Sequence, residues 1–442
     1  MSAHGPKSEA PSVDAPERTG AAASAIATIT LAAFLLQGAN GLLQALLPLR
    51  MEGEGLSIVA IGAVATAYGL GFATGCFLAP HLVRHVGHIR AYASLAALST
   101  VVVLGFDAVA GTGVWIGLRF LSGMALAGLF TVVDSWVSAT ATRTNRGRVI
   151  ALYLVATKIA LVVSPLGVGL GPVAGSGLVM VVAGLLALSL IPIAATLTRE
   201  PRAPTVVRVR IGPLFRIAPS AVLGAFAVGL VNGPVIAVAP VYGLFVGLSV
   251  AEAATLLLAL QAGSLLFQWP LGWLSDRVDR RRVIAALFAG TTLACGAILA
   301  ASAWHSVGWL VLAFGLYGGI ALCIYAVCVA HACDLVPAEE IVPTVSSLLV
   351  SWALGATLGP LPATALMQVA GPSALFYYVG TIGLALALFV ALRMRVKSRE
   401  AAGGGFVNVL ATSAVTAEIA ERERAAEPAG ADAQPQPRGH AV

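Results

Sequence analysis

Between residues 25 and 394 the chain is a near-continuous series of apolar runs, all above the ~20 residues a helix needs to cross a bilayer, joined by short polar segments. The runs fall at 25–49, 57–80, 91–111, 113–138, 148–171, 177–197, 217–243, 250–274, 283–303, 307–331, 341–367 and 373–394. They predict an all-α membrane protein of twelve spanning helices. Only 10% of the residues are charged, against about 25% in an ordinary soluble domain, so lipid rather than water is the expected solvent.

The formal net charge of +6 does not form one basic patch. Counting from the N-terminus, the even loops and the flank after the last run hold eighteen Lys and Arg, whereas the odd loops hold Arg50 alone. Cytoplasmic loops carry such an excess, so both termini are expected in the cytoplasm of a bacterial inner-membrane protein, with no nucleic-acid partner. Residues 1–24 are polar and rich in Pro, Ala and Ser, so no cleaved signal is expected before the first helix. The hydrophilic stretch 199–216, with Pro201, Pro204, Pro213 and five arginines, divides the helices six and six. The expected organisation is a cytoplasmic tail at 1–24, a six-helix half at 25–198, a cytoplasmic linker at 199–216, a second half at 217–395 and a mostly disordered tail at 396–442, in which Thr416 to Ala426 could form a short helix.

The halves repeat. At one ungapped offset Phe34, Asn40, Gly41, Ala45, Pro48, Gly55, Leu56 and Ser57 meet Phe226, Asn232, Gly233, Ala237, Pro240, Gly247, Leu248 and Ser249. Further on, Gly71, Leu82, Val86 and Arg90 meet Gly263, Leu274, Val278 and Arg282. Six helices return the chain to its starting side, so both copies run the same way. Transporters built from such parallel repeats hold solute between the halves near the midplane and rock one half against the other.

The segment Gly272 to Arg282, GWLSDRVDRRR, resembles the signature G-x-L-x-D-R-x-G-R-R/K of the major facilitator superfamily, with Asp276, Arg277, Arg280 and Arg281 in place and Asp279 where that family has Gly. The first copy, Pro80 to Arg90, keeps Leu82, Gly87 and Arg90, but has Arg84 in place of the acid and His85 in place of Arg. Val133-Asp134-Ser135-Trp136, Asn145-Arg146-Gly147-Arg148 and Ser346 to Gln368 look like the YcaD-type bacterial permease branch. The resemblance covers roughly 25–395. It implies a gating role for Arg84, Arg90, Asp134, Asp276, Arg277, Arg280 and Arg281; Asp134, near the cytoplasmic face, is either a latch with Arg84 as its candidate partner or a solvated helix end.

Only Arg119 and Lys158 put a positive charge well inside a run. Burying either in hydrocarbon costs at least ~2.5 to 3.5 kcal/mol, so each is expected to face protein or a wet cavity, although a long cation can also snorkel to a helix end. Lys158 lies near mid-membrane at ~1.5 Å per residue. Asn40 and Asn232, duplicated on helices 1 and 7, either bind solute or bond an opposing helix. Tyr68, Gln261 and Trp352 are further solute candidates, with Gln44, Gln268, Trp269, Tyr317 and Tyr325 beside them. Packing and interfacial roles compete for the aromatic ones.

The His81, His85, His88 spacing lacks a carboxylate and carries Arg84 inside it, so no metal or other cofactor is expected. The five cysteines read as small packing residues and the pairs Gly71/Gly75 and Gly355/Gly359 as close helix contacts.

No GxxxxGK[ST] or HExxH occurs and no carboxylate lies mid-run, which speaks against an ATP-driven pump or an intramembrane enzyme. The expectation is a monomeric secondary transporter of a small solute, anionic or polar, with a proton as candidate coupling ion. The alternatives are an efflux antiporter for drugs or metabolites, and a solute sensor or scaffold. Helix 5 has Ala160, Ser164 and Pro165 where export antiporters have G-x-x-x-G-P, which weakens the antiporter case.

Overall fold

A computed structural model of the chain describes residues 15–109, 111–140, 146–196 and 209–396. Within them twelve helices are long and apolar enough to cross a membrane. They are α1 (Ile26–Gly53), α2 (Ile58–Val86), α3 (His88–Ala108), α4 (Thr112–Thr140), α5 (Gly147–Leu170), α6 (Ser176–Ala194), α7 (Pro219–Phe245), α8 (Val250–Arg277), α9 (Arg280–Ala303), α10 (Val307–Cys333), α11 (Ala338–Ala370) and α12 (Ala374–Arg395). The twelve-helix expectation holds. Two boundaries differ from the expectation. The first helix begins at Ala15, inside the segment expected as a tail, because Pro16 suits a first turn and the alanines that follow favour helix. The end of the expected linker forms a short helix, Ile211–Ile217, held by the Arg210 backbone N–H donating to Ser347 Oγ (2.8 Å). The rest of the first tail, linker residues 199–208, Arg143 and the tail from 397 with Thr416 to Ala426 lie outside the described residues.

Three spans break where their backbone bonding is interrupted. Pro165 removes a donor in α5, which ends as a 3₁₀ helix from Ser164 to Leu170. Pro360 divides α11 into Ile341–Leu358 and Pro360–Ala370. In α10 the break at Leu322 and Cys323 follows Ala321, whose carbonyl accepts from Asn232 Nδ2 of α7 (3.0 Å). A side chain inserted into the ladder is an ordinary cause of such a break.

The repeat seen in the sequence is a repeat of contacts. In the first half α2 and α4 cross so closely that a Cβ at Gly71 would strike the Phe120 carbonyl oxygen, and one at Gly123 the Tyr68 carbonyl oxygen. In the second half Gly263 stands likewise against the Gly315 carbonyl, and Gly318 against that of Leu260. Tyr68 and Leu260 are partners at the same offset as Gly71 and Gly263, so the two crossings share one register. Gly355 and Gly359 play this part between α11 and α7. Small residues at helix crossings let backbones approach and gain van der Waals contact where lipid offers no hydrophobic drive. The halves themselves meet along α2 and α11, α5 and α8, and α1 and α7. There Gly62 faces Thr364, and Gly69 faces Thr357, where an added Cβ would lie 2.7 Å from Thr357 Oγ1.

Candidate solute site between the halves

Where these seams diverge they leave a cavity of about 280 Å³. Arg119 reaches it from α4, seven residues and so ~10 Å from the start of that helix. The residue is 7% exposed, and its guanidinium lies 4.3 Å from the centre of the Tyr68 ring. Among the described residues it makes no salt bridge, and Nη1 is fully buried without a hydrogen-bond partner. The lining contains no Asp or Glu. Lys158, midway along α5, also lines the cavity, and its Nζ donates to Ser264 Oγ of α8 (3.2 Å), a bond that links the two halves.

The register of the repeat shows that helix packing does not require either cation. With Gly123 matched to Gly318, Phe314 stands in the place of Arg119 and packs on Tyr242 and Phe376. Gly41 approaches the Leu161 carbonyl as Gly233 approaches that of Ala356, which matches Lys158 to Ala353. Both positive charges therefore belong to one half.

The duplicated asparagines have parted in the same way. Both line the cavity, but the Asn232 amide bonds neighbouring helix groups, donating to the Ala321 carbonyl and accepting from the Tyr317 hydroxyl (3.0 Å). Asn40 sits instead in a ladder along one face of α1: Gln44 Nε2 donates to Asn40 Oδ1 (3.2 Å) and Asn40 Nδ2 to Gln37 Oε1 (3.4 Å). Tyr68, Gln261, Gln268, Tyr325 and Trp352 all line the cavity, whereas Tyr317 supports Asn232 from outside it and Trp269 is exposed on the outer surface. Gln37, Ser264, Phe72 and Phe130 also line it and were not singled out in the sequence. The spacing of Gln37, Asn40 and Gln44 at i, i+3 and i+7 is a helical face that could have been read.

The signature loops differ between halves. In the second copy Arg280 donates through Nε to Asp334 Oδ2 (2.5 Å), through Nη1 to Ser275 Oγ (3.1 Å), and lies 3.3 Å from Asp276 Oδ1. Asp334, the acid at the end of α10, was not singled out in the sequence. Asp279, in the place of the family's Gly, caps α9 by accepting from the Arg281 N–H (2.9 Å). Burial works against its carboxylate, but the Arg281 side-chain and backbone hydrogen bonds outweigh this and hold the carboxyl below its ordinary range. Arg277 lies over the Trp273 ring at 3.8 Å.

The first copy corrects one expectation. Arg84 is exposed and makes no ion pair among the described residues, and Asp134 instead accepts from the Tyr153 hydroxyl of α5 (2.6 Å). The reason lies in the register: the counterpart of Arg280 is His88, which is buried against Ser135 Oγ (3.1 Å) and the Trp136 ring, while Arg84 falls on the outer face of α2. Arg90 is likewise exposed. His81 and His85 bond backbone carbonyls of their own helix.

A profile of the Major Facilitator Superfamily matches residues 29–219 and 221–424. An uncharacterized MFS-type transporter of Enterobacter sp. (strain 638) is 26% identical over 350 residues, which cover 79% of this chain and 90% of that protein. The uncharacterized MFS-type transporter YcaD of Escherichia fergusonii is 26% identical over 373 residues, covering 83% and 95%. Among solved structures the nucleoside transporter NupG superposes with a TM-score of 0.70 at 14% identity, over 84% of this chain and 100% of that one.

Proposed function

Because the chain belongs to the Major Facilitator Superfamily, we propose that it is a secondary transporter that carries a small anionic or strongly polar solute across the membrane by alternating access. The observation that carries this reading is Arg119, a buried guanidinium in the cavity wall with no anion beside it. An unpaired buried charge is costly, and a bound carboxylate or similar anion would supply both the charge and the acceptors that the guanidinium fork is shaped for. The cationic lining disfavours a cationic drug for the same reason.

A proton is the coupling ion in this reading, and Lys158 carries it. An ammonium can give up its proton whereas a guanidinium cannot, so Arg119 serves as fixed anchor and Lys158 as switch. Its bond to Ser264 joins the switch to the contact between the halves. If binding takes up a proton, affinity falls as pH rises. Lys158→Arg is expected to keep binding and lose that pH dependence, and Lys158→Ala to lose pH-dependent uptake. Normal uptake by Lys158→Ala at every pH would sink the mechanism.

The arginine-rich ends of the helices are read as cytoplasmic. A reporter that works only in the cytosol should be active when fused after Glu400, and activity of a periplasm-dependent reporter there would reverse the orientation.

A further inference from the structure

Resting on the reading of the cavity as an anion site, we infer that its solute is an aromatic monocarboxylate, with its acid group at Arg119, its ring against the aromatic wall and any further hydrogen-bonding group directed along that wall towards Tyr325. The inference comes from the wall that runs away from Arg119. The guanidinium lies over Tyr68, whose ring centre is 6.2 Å from that of Phe72. Phe72 stands 6.4 Å from Trp352 at 79°, and Trp352 stands 6.3 Å from Tyr325 at 60°. The row crosses from α2 of one half to α10 and α11 of the other, and every ring in it lines the cavity. It begins at a cation and ends at the Tyr325 hydroxyl, which is also fully buried without a partner among the described residues.

Two unpartnered polar groups at the ends of one aromatic wall define a ligand by its two ends and its body. The acid belongs at Arg119, where charge-assisted hydrogen bonds are strongest. The body belongs against ring faces and edges that prefer another aromatic ring in offset or edge-on contact. A distal hydroxyl or similar group would satisfy Tyr325. A sugar would have to draw on amides of α1 that already bond one another, and the hydroxyls turned to the aromatic wall would stay unpaired. One acid group is matched by the one fixed charge, Arg119, because Lys158 is bonded to Ser264 and serves as the proton switch. The volume, at the small end for ligand cavities, suits a single ring.

The test is equilibrium binding to the purified full chain in lipid nanodiscs, with labelled benzoate as probe and 4-hydroxybenzoate, hexanoate, succinate, phosphate and glucose as competitors. Both aromatic acids should compete at least about tenfold better than hexanoate and succinate. The 4-hydroxy acid should exceed benzoate by about fivefold, the worth of one neutral hydrogen bond. Tyr325→Phe should shrink the ratio between those two, and Trp352→Leu the ratio between benzoate and hexanoate. Both are read as ratios, so a general loss of folded protein does not imitate them.

Hexanoate, succinate or phosphate binding as well as benzoate, with binding still dependent on Arg119, would overturn the aromatic class and leave the anion reading standing. Failure of every anion to bind, or binding unchanged in Arg119→Gln, would overturn both.

Discussion

Arg119→Gln is expected to lower the affinity for the transported anion by about 10- to 150-fold, while the empty carrier melts no earlier than the parent. The first figure follows from hydrogen bonds to charged groups, which contribute about 1.5–3 kcal/mol, where about 1.4 kcal/mol is tenfold. The second follows because the neutral side chain removes a desolvation cost without breaking an ion pair among the described residues, which offsets the loss of the guanidinium's contact with the Tyr68 ring. A residue that held the fold through its charge would show the reverse, a lower melting temperature with affinity kept. Arg119→Lys should recover only part of the affinity, since an ammonium restores charge but not the planar fork. Titration of anion binding and a melting curve on the same samples decide it.

A comparable effect on the fold itself is expected from a single methyl group. Gly71→Ala and Gly263→Ala each place a Cβ against a backbone carbonyl, of Phe120 and Gly315, which cannot rotate away as a side chain would. The helices must separate, at an overpacking cost of about 1–3 kcal/mol or more. The two substitutions should be alike in size because the two crossings share a register. Gly38→Ala is the control, for among the described residues no atom beyond its own helical turn lies within 4 Å of its added Cβ. Melting temperatures of Gly71→Ala and Gly263→Ala equal to that of Gly38→Ala would show that the crossings yield more easily than the backbone contacts imply.

The spans were legible in the sequence because a bilayer imposes length and apolarity on every crossing segment. The repeat was legible because its shared glycines sit where backbones touch. Helix ends were not. Ala15 and Ile211–Ile217 lie in helices through local propensity and one cap-like bond, neither of which hydropathy reports. Arg119 and Lys158 stood out because charge inside an apolar run is costly. Tyr68, Trp352 and Tyr325 were among the candidates, but the row they form with Phe72 was not legible, because it exists only where α2 meets α10 and α11. Asn40 and Asn232 looked equivalent at one offset, and only Tyr317 and Ala321 tell them apart. The Arg84 and Asp134 pair is not formed in this structure: the first loop does not keep the signature it was drawn from, and His88 stands where the second loop has Arg280.

In the proposed reading the cavity lined by Arg119 binds an anion and exposes it to each side of the membrane in turn. Counterflow tests it most directly. Proteoliposomes holding the full chain and preloaded with unlabelled benzoate are diluted into trace labelled benzoate. The account predicts a transient accumulation of label above equilibrium, carried by the parent protein and absent from Arg119→Gln. An equal overshoot from Arg119→Gln, or none from the parent with benzoate, hexanoate, succinate or phosphate as the preloaded and labelled anion, would contradict it.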